Sequence, residues 1–173
     1  MITPTLQTLR LTLRAIKLSD FEPYAAMWAD PRVTDFIGGA PRDRQTSWGK
    51  FCQAAGLWSL VGYGYWLIEE RASGTMVGQG GLASFERGIA QLDGFPEAGW
   101  ALSADHWGKG YASEAVTAIV GWSDAELRAP EVRCIIDPEN TPSIRVAQKC
   151  DFTQIDEVKN ELGLSLVFAR KRP

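Results

Sequence analysis

The sequence predicts a mixed α/β fold: a mostly antiparallel, twisted sheet of about seven strands flanked by about four helices, with residues 1–173 forming one domain. Three observations carry this prediction. Apolar and polar residues alternate in several short segments. Apolar residues recur at helical spacing in others. The two kinds of segment follow one another in the order β-αα-βββ-α-β-α-ββ. At 173 residues, 45% hydrophobic and 23% charged, the chain can bury roughly two thirds of its unfolded surface.

Leu9, Leu11 and Leu13 alternate with Arg10, Thr12 and Arg14, the period of a half-buried strand. Ser19 is the expected cap of the first helix, with Glu22 completing a capping box and Phe21, Tyr24, Ala25 and Trp28 forming the apolar face. Pro31 ends it. A second helix follows Pro41 and runs to about Leu60, with Trp48, Phe51, Cys52, Ala55 and Leu57 as its expected buried side. Residues 65–70 and 75–82 read as strands joined by the turn Arg71-Ala72-Ser73-Gly74. A polar loop over residues 86–95 leads to a strand over 97–102. A helix then starts near Gly110 and extends to about Leu127. A strand at 132–136, a helix at 141–150 and two strands at 152–158 and 164–170, joined through residues 159–163, complete the order.

A net charge of −3, with no basic block or stripe, argues against a nucleic-acid binder. No apolar run approaches the ~20 residues that cross a bilayer, and no leader-like segment opens the chain, so a cytoplasmic location is expected. The three cysteines, Cys52, Cys134 and Cys150, share no C-x-x-C spacing and read as reduced core thiols. With a single histidine, no metal centre is expected.

The segment Trp107-Gly108-Lys109-Gly110-Tyr111-Ala112-Ser113 follows a strand and opens a helix. Glycines at a helix start gather backbone N–H groups at the positive end of a dipole, which is an anion site for phosphate or pyrophosphate. A dinucleotide G-x-G-x-x-G fails because Ser113 holds the last position and no acid closes a following strand. A G-x-x-x-x-G-K-[ST] loop fails because Lys109 has no spaced upstream glycine. A plain glycine turn before an ordinary helix remains open for this loop taken alone.

Trp107-x-x-Gly110-x-Ala112 resembles the pyrophosphate loop [QR]-x-x-G-x-[GA] of the acetyl-CoA-dependent N-acetyltransferases, the GNAT superfamily, with Trp107 in place of Gln or Arg. Further on, Asn140, Ser143 and Lys149-Cys150-Asp151-Phe152 resemble the superfamily's N-x-x-S-x-x-x-x-x-K-x-G-F signature, with Asp151 replacing the glycine. Asp tolerates the left-handed cap expected there. Residues 8–14 and 30–37 are similar to the ribosomal-protein-alanine (RimJ/RimL-like) branch.

The resemblance implies the GNAT fold, acetyl-CoA as cosubstrate, and transfer of acetyl to a primary amine by direct attack in a ternary complex. The expected acceptor is a protein N-terminus, a small amine or polyamine, an amino acid or an aminoglycoside, among which the sequence does not choose, and the enzyme a monomer or homodimer. A non-catalytic acyl-CoA sensor is the alternative. The resemblance also implies that the strand at 97–102 splays from the strand at 132–136 to admit acetyl-pantetheine, with a backbone N–H around Trp100, Ala101 and Leu102 on the thioester carbonyl. Trp107, Gly108, Lys109, Gly110, Tyr111, Ala112 and Ser113 then face pyrophosphate, and Asn140 and Ser143 face pantetheine and sulfur. Glu97, at the start of the splayed strand, is the candidate general base, against a solvated strand-end carboxylate. Ser143 is the candidate donor to the sulfur, against a plain helix cap. Asn140 otherwise reads as an Asx turn before Pro142. His106, Glu114 and Cys134 are expected to be structural. Trp66, Trp100 and Trp122 are expected in the core. Trp28, Trp48 and Trp58, with residues 36–39, 86–95 and 159–162, are expected around the acceptor.

Overall fold

A computed structural model describes residues 3–160 and 163–173. The first predicted strand holds only from Leu11, as β2 (Leu11–Arg14). A short strand β1 (Leu6–Gln7) precedes it, and Leu9, 87% exposed, lies in the turn between them, which Thr8 closes by donating its main-chain N–H to the Leu11 carbonyl at 2.9 Å. α1 (Phe21–Trp28) begins after a 3₁₀ turn, Leu18–Asp20. The capping there belongs to Asp20, whose carboxylate accepts from the Lys17 N–H at 2.7 Å and pairs with Arg14, rather than to Ser19. Glu22 turns outward to Arg44.

Pro31 ends α1 as predicted but also opens a short helix the sequence reading missed, α2 (Pro31–Thr34), which Asp30 caps through the Arg32 N–H. α3 (Arg44–Val61) is capped by Asp43. Its buried face is Ser47, Phe51, Ala54, Leu57 and Trp58, turned about one residue from the predicted side. Phe51 is locked edge-on by Phe21 and Tyr24, which leaves Cys52 and Ala55 in solvent and Trp48 at the margin. Cys52 is therefore not a core thiol.

β3 (Tyr65–Glu70), β4 (Met76–Ala83) and β5 (Glu97–Leu102) form an antiparallel meander. α4 (Tyr111–Trp122) runs on into a π-helical turn, Ser123–Leu127. β6 (Glu131–Ile136), α5 (Thr141–Lys149), β7 (Thr153–Asn160) and β8 (Gly163–Lys171) complete the chain. Asp151 takes the expected left-handed conformation after α5, with φ 65°. The described residues give an eight-stranded sheet, in the order β1-β2-β3-β4-β5-β6-β8-β7, and five α-helices, one of each more than predicted.

Strand alternation divides the core between the two sheet faces. Trp66, Ile68, Ala98 and Leu102 pack with Ala115, Val116 and Ile119 of α4 and Ala147 of α5. On the other face Ala101 packs with Tyr24, Met27, Trp28 and Phe51 of α1 and α3. Odd-numbered residues of β5 thereby face α1 and α3, and Glu97 is among them.

Candidate active site

β5 and β6 are parallel neighbours, and they pair at a single register position, Glu97 opposite Arg133. The Arg133 N–H donates to the Pro96 carbonyl at 3.0 Å; beyond that point the strands part. Main-chain groups alternate sides along a strand, so the side facing β6 carries the N–H groups of Trp100 and Leu102. The Ala101 N–H faces β4, where Ala101 is paired with Gln79. Ala101 thus contributes a wall to the opening, while Trp100 and Leu102 contribute donors.

A cavity of about 690 Å³ occupies this opening and continues between the sheet, α1, α3 and the segment that follows α2. Its walls include Glu97, Trp100, Ala101, Asn140 and Ser143, so the two catalytic candidates, 46 positions apart in sequence, share one chamber. Glu97 is 7% exposed, and the Arg87 guanidinium donates to its carboxylate at 3.1 Å. Burial pushes the Glu97 carboxyl above the usual carboxylate range, and the Arg87 charge offsets this only in part.

Tyr65, Gly81 and Gly99 lie side by side on β3, β4 and β5. A Cβ at Gly99 would collide with the Tyr65 hydroxyl, so the bare backbone of β5 lets the phenol reach across the sheet. Burial, with the Glu97 charge added, raises the Tyr65 pKa and keeps it a protonated donor next to the carboxylate. Sequence reasoning did not single out Tyr65 or Arg87. A glycine inside the strand 97–102 was the available signal, since it marks a close approach. What approaches comes from two strands away.

Ser143 is the third residue of α5, and Asn140 is that helix's cap, accepting from the Ser143 N–H at 3.1 Å. The capping role considered for Ser143 therefore belongs to Asn140. The Ser143 hydroxyl, half-buried on the cavity wall, has no hydrogen-bond partner among the described residues.

The glycine loop lies at the α4 end of the opening. Gly108 and Gly110 are left-handed, with φ 73° and 79°. Among the described residues, no acceptor is found for the main-chain N–H groups of Gly108, Lys109, Gly110, Tyr111, Ala112 and Ser113, the first helical carbonyl bond being Glu114 to Gly110. Arg10 braces the loop, donating to the Lys109 carbonyl at 2.8 Å while its guanidinium is held by Glu114 at 2.6 Å. Trp107 is half exposed, and its indole N–H donates to the Leu102 carbonyl at 2.9 Å. Tyr111 is buried and hydrogen-bonds Glu70 of β3, so its side chain anchors the helix. Ala112 and Ser113 are half-buried; the Ser113 carbonyl accepts from the Cys150 thiol at 3.7 Å and ties α4 to α5. Six orphaned donors at a helix start fit a pyrophosphate.

Other expectations divide. Trp28 and residues 36–39 line the cavity, as do Phe85 and Arg87. Trp58 does not: it packs edge-on against Trp66 and Trp122, at 4.6 and 5.3 Å, in the core. Trp48 lies on the outer surface beside Phe21. Trp66 is fully buried; Trp100 and Trp122 are half-buried. Of the expected acceptor hairpin, residues 161 and 162 lie outside the described residues. No described helix is long and apolar enough to cross a membrane.

Residues 10–153 match the acetyltransferase (GNAT) domain family, and the chain belongs to it. It is 32% identical over 149 residues to the uncharacterized N-acetyltransferase p20 of Bacillus licheniformis, covering 86% of this chain and 82% of that protein. The crystal structure of an acetyltransferase from Agrobacterium tumefaciens strain C58 superposes with a TM-score of 0.86 at 32% identity, covering 98% and 95% of the two chains. A spermidine N-acetyltransferase from Vibrio cholerae, solved with CoA and spermine, shares the fold at a TM-score of 0.77 and 14% identity, over 95% and 97% of the chains. The protein is thus an acetyltransferase that takes acetyl-CoA and passes the acetyl group to an amine.

Proposed function

We propose that this acetyltransferase is a RimJ/RimL-like N-acetyltransferase in which a primary amine attacks acetyl-CoA directly in a ternary complex. The carrying observation is the single cavity that has buried Glu97 and the free Ser143 hydroxyl on its walls, beside the parted edge of β5. The branch rests on the similarity of residues 8–14 and 30–37 noted above.

Acetyl-CoA supplies an activated acetyl thioester. The orphaned N–H groups from Gly108 to Ser113 bind its pyrophosphate, with the exposed Lys109 ammonium alongside. The Trp100 and Leu102 N–H groups hold the pantetheine arm and polarise the carbonyl, and Asn140 fixes the start of α5 against that arm. Glu97 accepts the amine's proton through a water, a role that its raised pKa suits. Ser143 donates a hydrogen bond to the sulfur as negative charge gathers there. An α-amine and a thiol, with pKa values near 8 and 8.5, need no stronger acid or base.

Direct attack is favoured over an acyl-enzyme by the state of Cys134, the thiol nearest Glu97. It is buried, and burial pushes its pKa up, the opposite of an activated nucleophile. Initial velocities over both substrates should give intersecting lines; parallel lines would overturn direct attack. The reading includes a cytoplasmic location and a monomer or homodimer, with no nucleic-acid partner.

A further inference from the structure

The acceptor end of the cavity gathers three cations. Arg42 lies in the segment before α3, Lys50 on α3, and Arg87 in the loop before β5; all three line the chamber. Arg87 is engaged by Glu97. Arg42 is half-buried, its guanidinium carbon lies over the Trp28 indole 3.6 Å from the ring centroid, and its main-chain N–H is tied to the Trp28 carbonyl at 2.9 Å. Its guanidinium has neither an ion pair nor a hydrogen bond among the described residues. Lys50 has a neutral partner, the Gln53 amide oxygen at 3.3 Å.

The carboxylates on the same walls do not answer these charges. Asp35 is on the exposed rim, and Asp137 accepts from the Glu139 N–H at 2.8 Å in the turn before α5, at the cofactor end. The electrostatics agree with the geometry. Burial, then the charges of Arg42 and Arg87, lower the Lys50 pKa, and burial lowers that of Arg42, with no carboxylate acting on either. A half-buried guanidinium such as that of Arg42, with no acid beside it and the exposed Lys50 ammonium on the same wall, is costly unless an anion completes it. A planar guanidinium fixed by stacking presents its donors as a fork that matches a carboxylate.

We propose that the acceptor is an amino acid, whose carboxylate is bound by Arg42 and Lys50 while its amine is directed to Glu97. This rests on the amine-transfer reading above and narrows its substrate class. The chamber volume of about 690 Å³ suits a small molecule beside an acetyl-bearing arm. Glu97 and Arg42 divide the two ends of the substrate by charge: the carboxylate end meets the cations, and the amine end meets Glu97, the one buried acid among the described residues that line the cavity.

The test compares acetylation of free amino acids with that of their carboxamides, of phosphoethanolamine, of spermidine and of a short peptide bearing a free N-terminus. An amino acid should exceed its own carboxamide in kcat/KM by roughly 10- to 100-fold, the weight of one charge-assisted contact. Arg42→Gln and Lys50→Gln should each raise KM for the amino acid while leaving kcat, KM for acetyl-CoA and the carboxamide rate unchanged. A purely structural role would weaken acid and amide alike, so equal losses would overturn the assignment. Preference for phosphoethanolamine would overturn the carboxylate in favour of phosphate. Acetylation of spermidine, the peptide or the carboxamides with a kcat/KM equal to that of the acids would overturn the proposal and leave amine transfer standing. Acetylation of none would overturn both.

Discussion

Glu97 is held between two opposing influences, burial that disfavours its charge and an Arg87 guanidinium at 3.1 Å that favours it, and burial prevails. For a base the consequence is a rate that climbs with pH through a value above the usual carboxylate range. Glu97→Gln should remove that acid limb and lower turnover by roughly 100-fold or more. The fold responds with the opposite sign. A carboxyl whose folded pKa is raised stabilises the protein while protonated, below its unfolded pKa, and loses that contribution as pH rises through the folded value. Gln is neutral throughout, so Glu97→Gln should melt no lower than the parent at neutral pH, and the difference should shrink on acidification. Paired melts and pH–rate profiles measure both. A lower Tm for the variant at neutral pH would mean that the Arg87 pair outweighs burial. The residue's place at a strand start was legible in the sequence; its burial was not, because Arg87 reaches it from a loop and Tyr65 crosses to the neighbouring Gly99 from two strands away.

At the scale of elements, α5 shows how a cap and a site can be the same few atoms. Asn140 accepts from the Ser143 N–H at 3.1 Å, which closes the helix start and also fixes the residue whose hydroxyl is free in the cavity. Asn140→Ala should cost about 1 kcal/mol, a Tm loss of roughly 2–4 °C for a chain of this size, while Asn140→Asp, an equally good cap, should keep the stability. An unchanged melting temperature for Asn140→Ala would remove the capping role. Elements of this kind could be read from local chemistry. The strand 97–102 and the glycine-opened α4 stand where their sequence signals put them. The face of α3 could not be read in this way, because several rotations bury comparable apolar area; the Phe21, Tyr24 and Phe51 rings select one and strand Cys52 outside. α2 was missed because its four residues are too short for a periodic pattern, though Asp30 followed by proline was a helix-start signal.

For the whole molecule, the cofactor cleft is where the sheet gives up its own hydrogen bonds. β5 and β6 join at Glu97 and Arg133 and then part, leaving strand-edge donors and a helix start unpaired on the same side of the protein. A ligand that satisfies both should stabilise the native state far more than one that meets either alone. The unfolded chain has neither site, so binding adds about RT ln(1 + [L]/Kd), roughly 2.7 kcal/mol at a hundredfold excess over Kd, equivalent to a Tm rise of roughly 5–10 °C. Acetyl-CoA and CoA should produce that shift; NADH and ATP, which lack a pantetheine arm for the β5 edge, should not. Gly110→Val should abolish it. The φ of 79° disfavours a branched residue, and the added carbons stand where the pyrophosphate must approach the backbone, although the protein itself leaves that space open apart from the Arg10 guanidinium at 3.5 Å. The variant's own melting temperature in the absence of ligand separates a lost site from a damaged fold. An undiminished acetyl-CoA shift in Gly110→Val would move the pyrophosphate away from this loop, and a shift with NADH or ATP equal to that with CoA would mean that the parted strands contribute nothing to recognition.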